Sequence, residues 1–147
     1  ISACEKGGQW QRGLSLLGEM RRQDLTPTVI SLNAAISACG NGGQWQQALL
    51  LFHEMRQEGS TIDVISLNAA LSACQEGGQW QRASMLFDEM RGEGSMPNVI
   101  SFRVAISACE AGMQWQQALW LLSEMRKEGL LPDVISFCST ISACMRA

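Results

Sequence analysis

The chain has 147 residues, of which 46% are hydrophobic and 17% are charged, and its formal net charge at pH 7 is −3. The apolar fraction is sufficient to bury a core. No apolar run approaches the roughly 18 residues of a membrane-spanning helix, so the sequence predicts no membrane span. The negative balance argues against a strongly basic nucleic-acid-binding domain.

An internal repeat organises the whole chain. The tetrad Gly-Gly-Gln-Trp occupies residues 7–10, 42–45 and 77–80, and the variant Gly-Met-Gln-Trp follows at 112–115. We therefore expect a single array over residues 1–147, in which each unit contacts its neighbours. The units are a partial one at 1–28, complete ones at 29–63, 64–98 and 99–133, and a partial one at 134–147. Because both ends fall inside units and the chain does not begin with Met, we expect a segment of a longer protein.

Each complete unit contains two patterns of helical periodicity. In the unit 64–98 the apolar residues Leu67, Ala70, Leu71 and Cys74 recur at i, i+3, i+4 and i+7, which is typical of one buried helix face. A second apolar stripe begins at Trp80 and ends near Met90. The sequence thus predicts an all-α fold of helical hairpins.

The residues between the helices support this assignment. Gly59, Gly94 and Gly129 lie where a left-handed residue would end the second helix. Before the first helix, good N-cap types occur at two neighbouring places, and the sequence leaves both open. These are Thr28, Asp63, Asn98 and Asp133, or, three residues later, Ser31, Ser66, Ser101 and Ser136.

The cysteines and the single histidine do not indicate a metal site or a catalytic centre. Five of the six cysteines recur once per unit, which predicts small buried hydrophobic residues rather than disulfides. Metal-binding spacings are missing, and His53 is predicted to lie on the surface. We expect no cofactor, no metal, no small-molecule substrate and no enzyme activity.

The unit resembles the pentatricopeptide repeat in its length of 35 residues and in the general form P-D-V-I-S-F-N-x-x-I-S-A-C followed by A-L-x-L-F-x-E-M-R-x-E-G. The resemblance implies a right-handed α-α solenoid whose first helices line the concave surface. It also implies an organellar protein, of chloroplast or mitochondrion, that binds single-stranded RNA with one base per repeat.

Base-contacting residues follow from the resemblance position by position. The main base-reading residues would be Asn33, Asn68, Arg103 and Cys138, and the second ones would be Thr28, Asp63, Asn98 and Asp133. Residues that enclose the bases would be Ile30, Ile65, Ile100 and Ile135. By the same resemblance Asn33 with Asp63 is similar to a uridine pair, and Asn68 with Asn98 to a pyrimidine pair that favours cytidine. Arg103 with Asp133 departs from the usual pairs.

Structural roles could explain several of these residues without RNA. Asp63 and Asp133 would serve as N-caps, and the isoleucines could be staples at the start of the helix or contacts between units. Four tryptophans open the second helix on its apolar stripe and are predicted to be core residues: Trp10, Trp45, Trp80 and Trp115. Trp120 lies off that stripe, so it either packs between units or is exposed.

Charge predicts weak RNA binding. Four arginines recur at the end of the second helix, where they offset the helix dipole: Arg21, Arg56, Arg91 and Arg126. Only Lys6, Arg103 and Arg146 fall on or beside the presumed concave stripe. Sequence-selective binding of single-stranded RNA is the favoured function, and the alternative is a structural scaffold that holds other proteins in a large organellar complex.

Overall fold

The structure, a computed structural model, describes residues 9–146. Within this range the chain forms eight α-helices. They are α1 (Trp10–Arg22), α2 (Val29–Asn41), α3 (Trp45–Gln57), α4 (Val64–Glu76), α5 (Trp80–Gly92), α6 (Val99–Ala111), α7 (Trp115–Lys127) and α8 (Val134–Met145). None of these helices is long and apolar enough to cross a bilayer. Cys4, Lys6 and the rest of residues 1–8 lie outside the described range.

Consecutive helices form hairpins that stack into an all-α solenoid. The first helices of the units are α2, α4, α6 and α8, and their backbones contact one another in sequence. Consecutive second helices, α1, α3, α5 and α7, have no comparable backbone contact within the described range. The first helices therefore form the more closely packed of the two layers.

The predicted apolar stripes form one continuous core between the two layers. Leu67, Ala70, Leu71 and Cys74 of α4 are almost completely buried, and Phe87 and Met90 of α5 pack with them. Phe87 meets Phe102 of the next unit edge to face, with ring centroids 4.9 Å apart. The core therefore joins units as well as the two helices within each unit.

The cysteines of the complete units confirm the prediction of small buried hydrophobic residues. Cys39, Cys74 and Cys109 are buried and free. Burial raises the pKa of each thiol to about 11, so these side chains stay protonated and unreactive at neutral pH. Cys138 and Cys144 of the last unit are free and exposed.

Left-handed residues follow both helices of each complete unit, and those after the second helix are the predicted glycines. Gly59, Gly94 and Gly129 follow the second helices with φ of 71°, 77° and 76°. Asp24 takes this place in the first unit with φ of 55°, and Met113 does the same in the Gly-Met-Gln-Trp turn. In each paired-glycine turn, only the second glycine needs the left-handed conformation.

The repeated tryptophans lie between units and are only partly buried, so the prediction of core residues holds in part. Trp10, Trp45 and Trp80 pack against the edge of the core. Trp115 is 39% exposed and Trp120 is 41% exposed. The guanidinium of Arg91, one unit earlier, lies 5.6 Å from the ring centroid of Trp120.

Ion pairs connect the second helices across the gaps between units. Arg21 bridges to Glu54 at 3.0 Å, Arg56 to Glu89 at 2.8 Å, and Arg91 to Glu124 at 3.1 Å. Each arginine also reaches a second acid in the same neighbouring unit: Glu58, Glu93 and Glu128, respectively. These side chains therefore link neighbouring units, in addition to offsetting the helix dipole. We call this set the arginine ladder.

Candidate nucleic-acid interface on the first helices

The structure resolves the two alternatives for the N-cap of the first helix. Asp63 and Asp133 have extended backbone, and their side chains accept a hydrogen bond from the backbone N–H three residues later, at 2.8 and 2.9 Å. Thr28 and Asn98 do the same in their units. The serines therefore stand at the third helical position, N3, and donate their backbone N–H groups to the caps.

Three of the four predicted main base-reading residues lie beside the cap of the next unit. This brings together Asn33 with Asp63, Asn68 with Asn98, and Arg103 with Asp133. The residues of a pair are far apart in sequence and come together only because the first helices stack. Thr28 and Cys138 stand at the two ends of the array, and their partner positions fall outside the 147 residues.

The Asn68 and Asn98 pair is bridged by Ser101. Nδ2 of Asn68 donates to Oδ1 of Asn98 at 3.3 Å, and the Ser101 hydroxyl lies 2.7 Å from Oδ1 of Asn68. The backbone N–H of Asn98 donates to the same Ser101 oxygen at 3.1 Å, which completes a capping box. The amide of Asn68 is thus oriented with its oxygen toward Ser101 and its nitrogen toward Asn98.

The Asn33 and Asp63 pair contains a carboxylate. Burial alone would raise the pKa of Asp63, but hydrogen bonds from the backbone and hydroxyl of Ser66 and from the side chain of Asn33 hold that pKa below its ordinary value. A carboxylate only accepts, so Nδ2 of Asn33 is the donor. Oδ1 of Asn33 is buried and has no hydrogen-bond partner among residues 9–146.

The third pair is an ion pair. Nη1 of Arg103 lies 3.7 Å from Oδ2 of Asp133, and both side chains are partly exposed. Hydrogen bonds from Ser136, backbone and hydroxyl, together with the charge of Arg103, lower the pKa of Asp133 despite an opposing desolvation effect. The pair therefore presents a cation and an anion side by side.

The four isoleucines stand on the open face of the first helices. Ile30 is 79% exposed, Ile65 is 66% exposed, and Ile100 and Ile135 are about half exposed. Ile30 and Ile65 are too exposed to serve as staples at the helix start, and contact between units stays a prediction for the half-buried Ile100 and Ile135. The residue before each isoleucine in the complete units packs against the core instead: Val29, Val64 and Val99.

A shallow groove of about 270 Å³ runs between α2 and α4 beside this face. Ile65, Asn68 and Ser72 of α4 line it opposite Ser37 of α2. Gly40, which follows the same stripe in the sequence, is buried. A Cβ added to Gly40 would lie 3.1 Å from Cα of Ala73, so α2 and α4 are in close contact at this point. The groove is therefore bounded on one side by close contact of two first helices.

Sequence reasoning missed one group, the hydroxyls of the N3 serines. The signal was available, because Ser66, Ser101 and Ser136 recur two residues before the main base-reading position. By residue type alone they are N-cap candidates. In the structure they are buried within hydrogen-bonding distance of the second base-reading residue.

Family models agree with the repeat geometry. A model described as pentatricopeptide repeat domain matches residues 1–42 and 50–111, and one described as PPR repeat matches 30–60 and 100–130. The chain belongs to the pentatricopeptide repeat family. The comparison with curated protein sequences gives no match.

Solved pentatricopeptide repeat structures share the fold. PPR10 in complex with an 18-nucleotide psaJ RNA element superposes with a TM-score of 0.86 at 26% identity, over 97% of this chain and 21% of that chain. The pentatricopeptide repeat domain of Arabidopsis thaliana protein-only RNase P 1, in complex with tRNA, gives 0.84 at 15% identity, over 98% and 76%. A crystal structure of the pentatricopeptide repeat protein PPR10 from maize gives a TM-score of 0.68 at 22% identity, over 96% of this chain and 25% of that chain. The chain thus spans about a fifth of the length of PPR10.

Proposed function

We propose that this pentatricopeptide repeat array binds single-stranded RNA with base selectivity, one base per repeat. The observation that carries the proposal is the pairing of Asn33 with Asp63 and of Asn68 with Asn98 on the open face of the first helices. The RNA-bound PPR10 structure, which matches nearly the whole chain, supports it. A role in chloroplast or mitochondrial RNA metabolism stays a prediction of the family resemblance.

The first pair is complementary to uracil. Asn33 has a second Nδ2 proton beyond the one that Asp63 accepts, and Asp63 has a second carboxylate oxygen beyond the one bonded to Ser66. The pair thus offers a donor beside an acceptor. The Watson–Crick edge of uracil presents the complementary arrangement, a carbonyl oxygen beside the N3–H donor.

The second pair is complementary to cytosine. Oδ1 of Asn98 already accepts from the Ser101 backbone and from Asn68, so Asn98 has only its NH₂ group to offer a ligand. Asn68 contributes its second Nδ2 proton. Two adjacent donors match the N3 and O2 acceptors of cytosine. In uracil, N3 carries a hydrogen and is itself a donor, so one of the two protein donors would face another donor.

The exposed isoleucines complete the site. Ile30 and Ile65 stand one turn before Asn33 and Asn68 on the same face, with more than half of each side chain exposed. Apolar side chains at this spacing would cover the two faces of a base held between them. The apolar surface of the isoleucines would then be buried against the ring instead of exposed to water, which favours binding.

Charge limits the affinity. The arginine ladder uses Arg21, Arg56 and Arg91 in contacts between units, and Arg103 faces Asp133. Arg103 is the one basic residue of the described first helices, so few cations face an RNA bound there. We therefore expect weak binding with a shallow dependence on salt concentration. We further propose that the array is a binding module and not an enzyme.

Fluorescence anisotropy tests the proposal. The 147-residue chain is titrated with labelled RNA that contains a U-C step, with scrambled RNA and with oligoadenylate, over a salt series. Asn33→Ala and Asn68→Ala should each weaken binding of the U-C RNA by about three- to tenfold, the effect of one lost hydrogen bond. The control Gln46→Ala removes an exposed amide from the second-helix layer and should leave binding unchanged. Equal affinity for all three RNAs would contradict base selectivity.

A protein-binding scaffold is the second candidate function, and an exposed apolar row on the second helices favours it. Leu50, Met85 and Trp120 stand at the same position of successive units, with 54%, 62% and 41% of each residue exposed. Apolar residues aligned on an open face are typical of protein contact surfaces. No RNA binding at low salt, with circular dichroism showing a folded helical chain, would favour the scaffold.

A further inference from the structure

The hydroxyl of the N3 serine bonds to a different partner according to the cap residue of its unit. Where the cap is Asp63 or Asp133, the serine hydroxyl donates to the carboxylate, at 2.8 and 2.7 Å. Where the cap is Asn98, the closest acceptor is Oδ1 of Asn68 in the preceding unit, at 2.7 Å. In the described part of the chain, Ser101 is thus the one N3 serine whose hydroxyl contacts a main base-reading residue.

Donor and acceptor numbers assign the Ser101 proton. Oδ1 of Asn98 lies within reach of the Ser101 backbone N–H at 3.0 Å, of Asn68 Nδ2 at 3.3 Å and of the Ser101 hydroxyl at 3.0 Å. An amide oxygen has two lone pairs, which the first two donors fill. The single hydroxyl proton therefore goes to Asn68, at the shorter distance.

Asn68 is consequently held at both ends of its amide, by Ser101 at the oxygen and by Asn98 at the nitrogen. Both partners are neutral. A rotated amide would point its nitrogen at the Ser101 hydroxyl and its oxygen at Oδ1 of Asn98, which is unfavourable. Without the Ser101 hydroxyl, only the 3.3 Å bond to Asn98 opposes that rotation.

Asn33 is held differently. Its oxygen has no partner, since the Ser66 hydroxyl donates to Asp63. The carboxylate of Asp63 accepts only and is charged, so it keeps the nitrogen of Asn33 turned toward itself without help from a serine.

We propose that Ser101 is a positioning residue for base selectivity. Its hydroxyl fixes the amide of Asn68 with the NH₂ group toward the RNA. Ser66 has no such role for Asn33. The inference rests on the proposed RNA binding and deepens it. It predicts that two serines at the same place in their units differ in their effect on base choice.

The experiment compares Ser101→Ala, Ser101→Thr and Ser66→Ala in the 147-residue chain, with RNAs that carry C, U or A at each of the two positions of the U-C step. Ser101→Ala should reduce the preference for C over U at the second position by about three- to tenfold. Ser101→Thr keeps a hydroxyl and should restore that preference. Ser66→Ala should leave the preference for U at the first position intact.

Stability is measured alongside, because both alanine variants alter the start of a helix. A merely structural role would lower the melting temperature and weaken all RNAs equally, with base ratios unchanged, and that result would overturn the inference. A loss of U preference in Ser66→Ala as large as the loss of C preference in Ser101→Ala would also overturn it.

If the chain without substitutions binds RNA without any base preference, the proposed function itself is contradicted. The inference about Ser101 can then still be tested in the protein without RNA. The side-chain amide signals of Asn68 and Asn33 are followed by ¹⁵N-¹H NMR in the two alanine variants. The Asn68 signals should shift and broaden in Ser101→Ala, and the Asn33 signals should change little in Ser66→Ala. Equal responses of the two amides would contradict the assignment of the Ser101 proton.

Discussion

Gly77 lies directly against the indole ring of Trp45 in the preceding unit. A Cβ on Gly77 would come within 2.3 Å of Cδ1 of Trp45. Gly42 stands in the same relation to Trp10, and Gly112 to Trp80. The recurring tetrad therefore combines two halves of a contact between units: its first glycine receives the tryptophan of the unit before, and its own tryptophan fits the glycine of the unit after.

Replacing Gly77 by Ala should therefore destabilise the array. The backbone φ of Gly77 is −81°, which alanine accepts, so the cost comes from the clash with Trp45. Overpacking of this kind costs about 1–3 kcal/mol. Urea denaturation followed by circular dichroism measures the change in the free energy of unfolding.

Gly92→Ala provides the matched control. Gly92 ends α5 in helical conformation, and an added Cβ would meet nothing within 4 Å. This variant should be neutral or more stable by up to about 1 kcal/mol, because alanine favours helix more than glycine does. Equal destabilisation by both substitutions would contradict the role assigned to the glycine and tryptophan contact.

The arginine ladder should make a small, salt-sensitive contribution to stability. Arg56 and Glu89 are 2.8 Å apart, and each side chain is about a third or more exposed, so water screens the pair. We expect a coupling energy of about 0.5–1 kcal/mol in the double-mutant cycle of Arg56→Gln and Glu89→Gln. The coupling should decrease in 1 M salt.

Arg22→Gln is the control for the ladder. Arg22 stands beside Arg21 at the end of α1 and makes no ion pair in the described part of the chain. Its removal should change the free energy of unfolding little. A coupling energy of zero between Arg56 and Glu89 would show that the ladder does not join the units.

Most of the fold was predictable because the repeat presents each helix several times with the same period. Helix bounds, the apolar stripes and the left-handed glycines follow from local sequence. The contact of Gly77 with Trp45 did not, because it depends on how far one unit is displaced from the next. For the same reason the sequence could place Asn68 and Asn98 in a pair only by family resemblance. The recurrence of a serine two residues before the base-reading position was visible in the sequence, but the bridge from Ser101 to Asn68 of the preceding unit was not.

Stability should fall at acid pH through Asp63 and Asp133. The pKa of each is below the ordinary value of 3.8, so each stabilises the folded state above that value and loses this effect as the pH falls through the folded pKa. Thermal unfolding between pH 7 and pH 2.5 measures the loss. The double variant Asp63→Asn and Asp133→Asn keeps side chains that cap helices and should show a flatter pH profile. An unchanged profile would contradict the assignment.

Changing Asp63 to Asn should also alter which base the second unit accepts. The variant pair, Asn33 with an amide at position 63, would offer two donors, as Asn68 and Asn98 do, in place of a donor beside a carboxylate acceptor. Preference at the first position of the U-C step should move from uridine to cytidine, with each base ratio changing by about three- to tenfold. Anisotropy titrations with U-C and C-C RNAs measure this shift.

Asp133→Asn is the matched control for the base change, since it removes the same charge from a cap two units away and should leave the choice at the first position unaltered. The removal of negative charge alone would strengthen binding of every RNA by a similar factor. Both variants could instead bind every RNA more tightly by the same factor, with no change in the ratio of U-C to C-C affinity. That result would assign the effect of Asp63 to phosphate electrostatics and contradict its role in base selection.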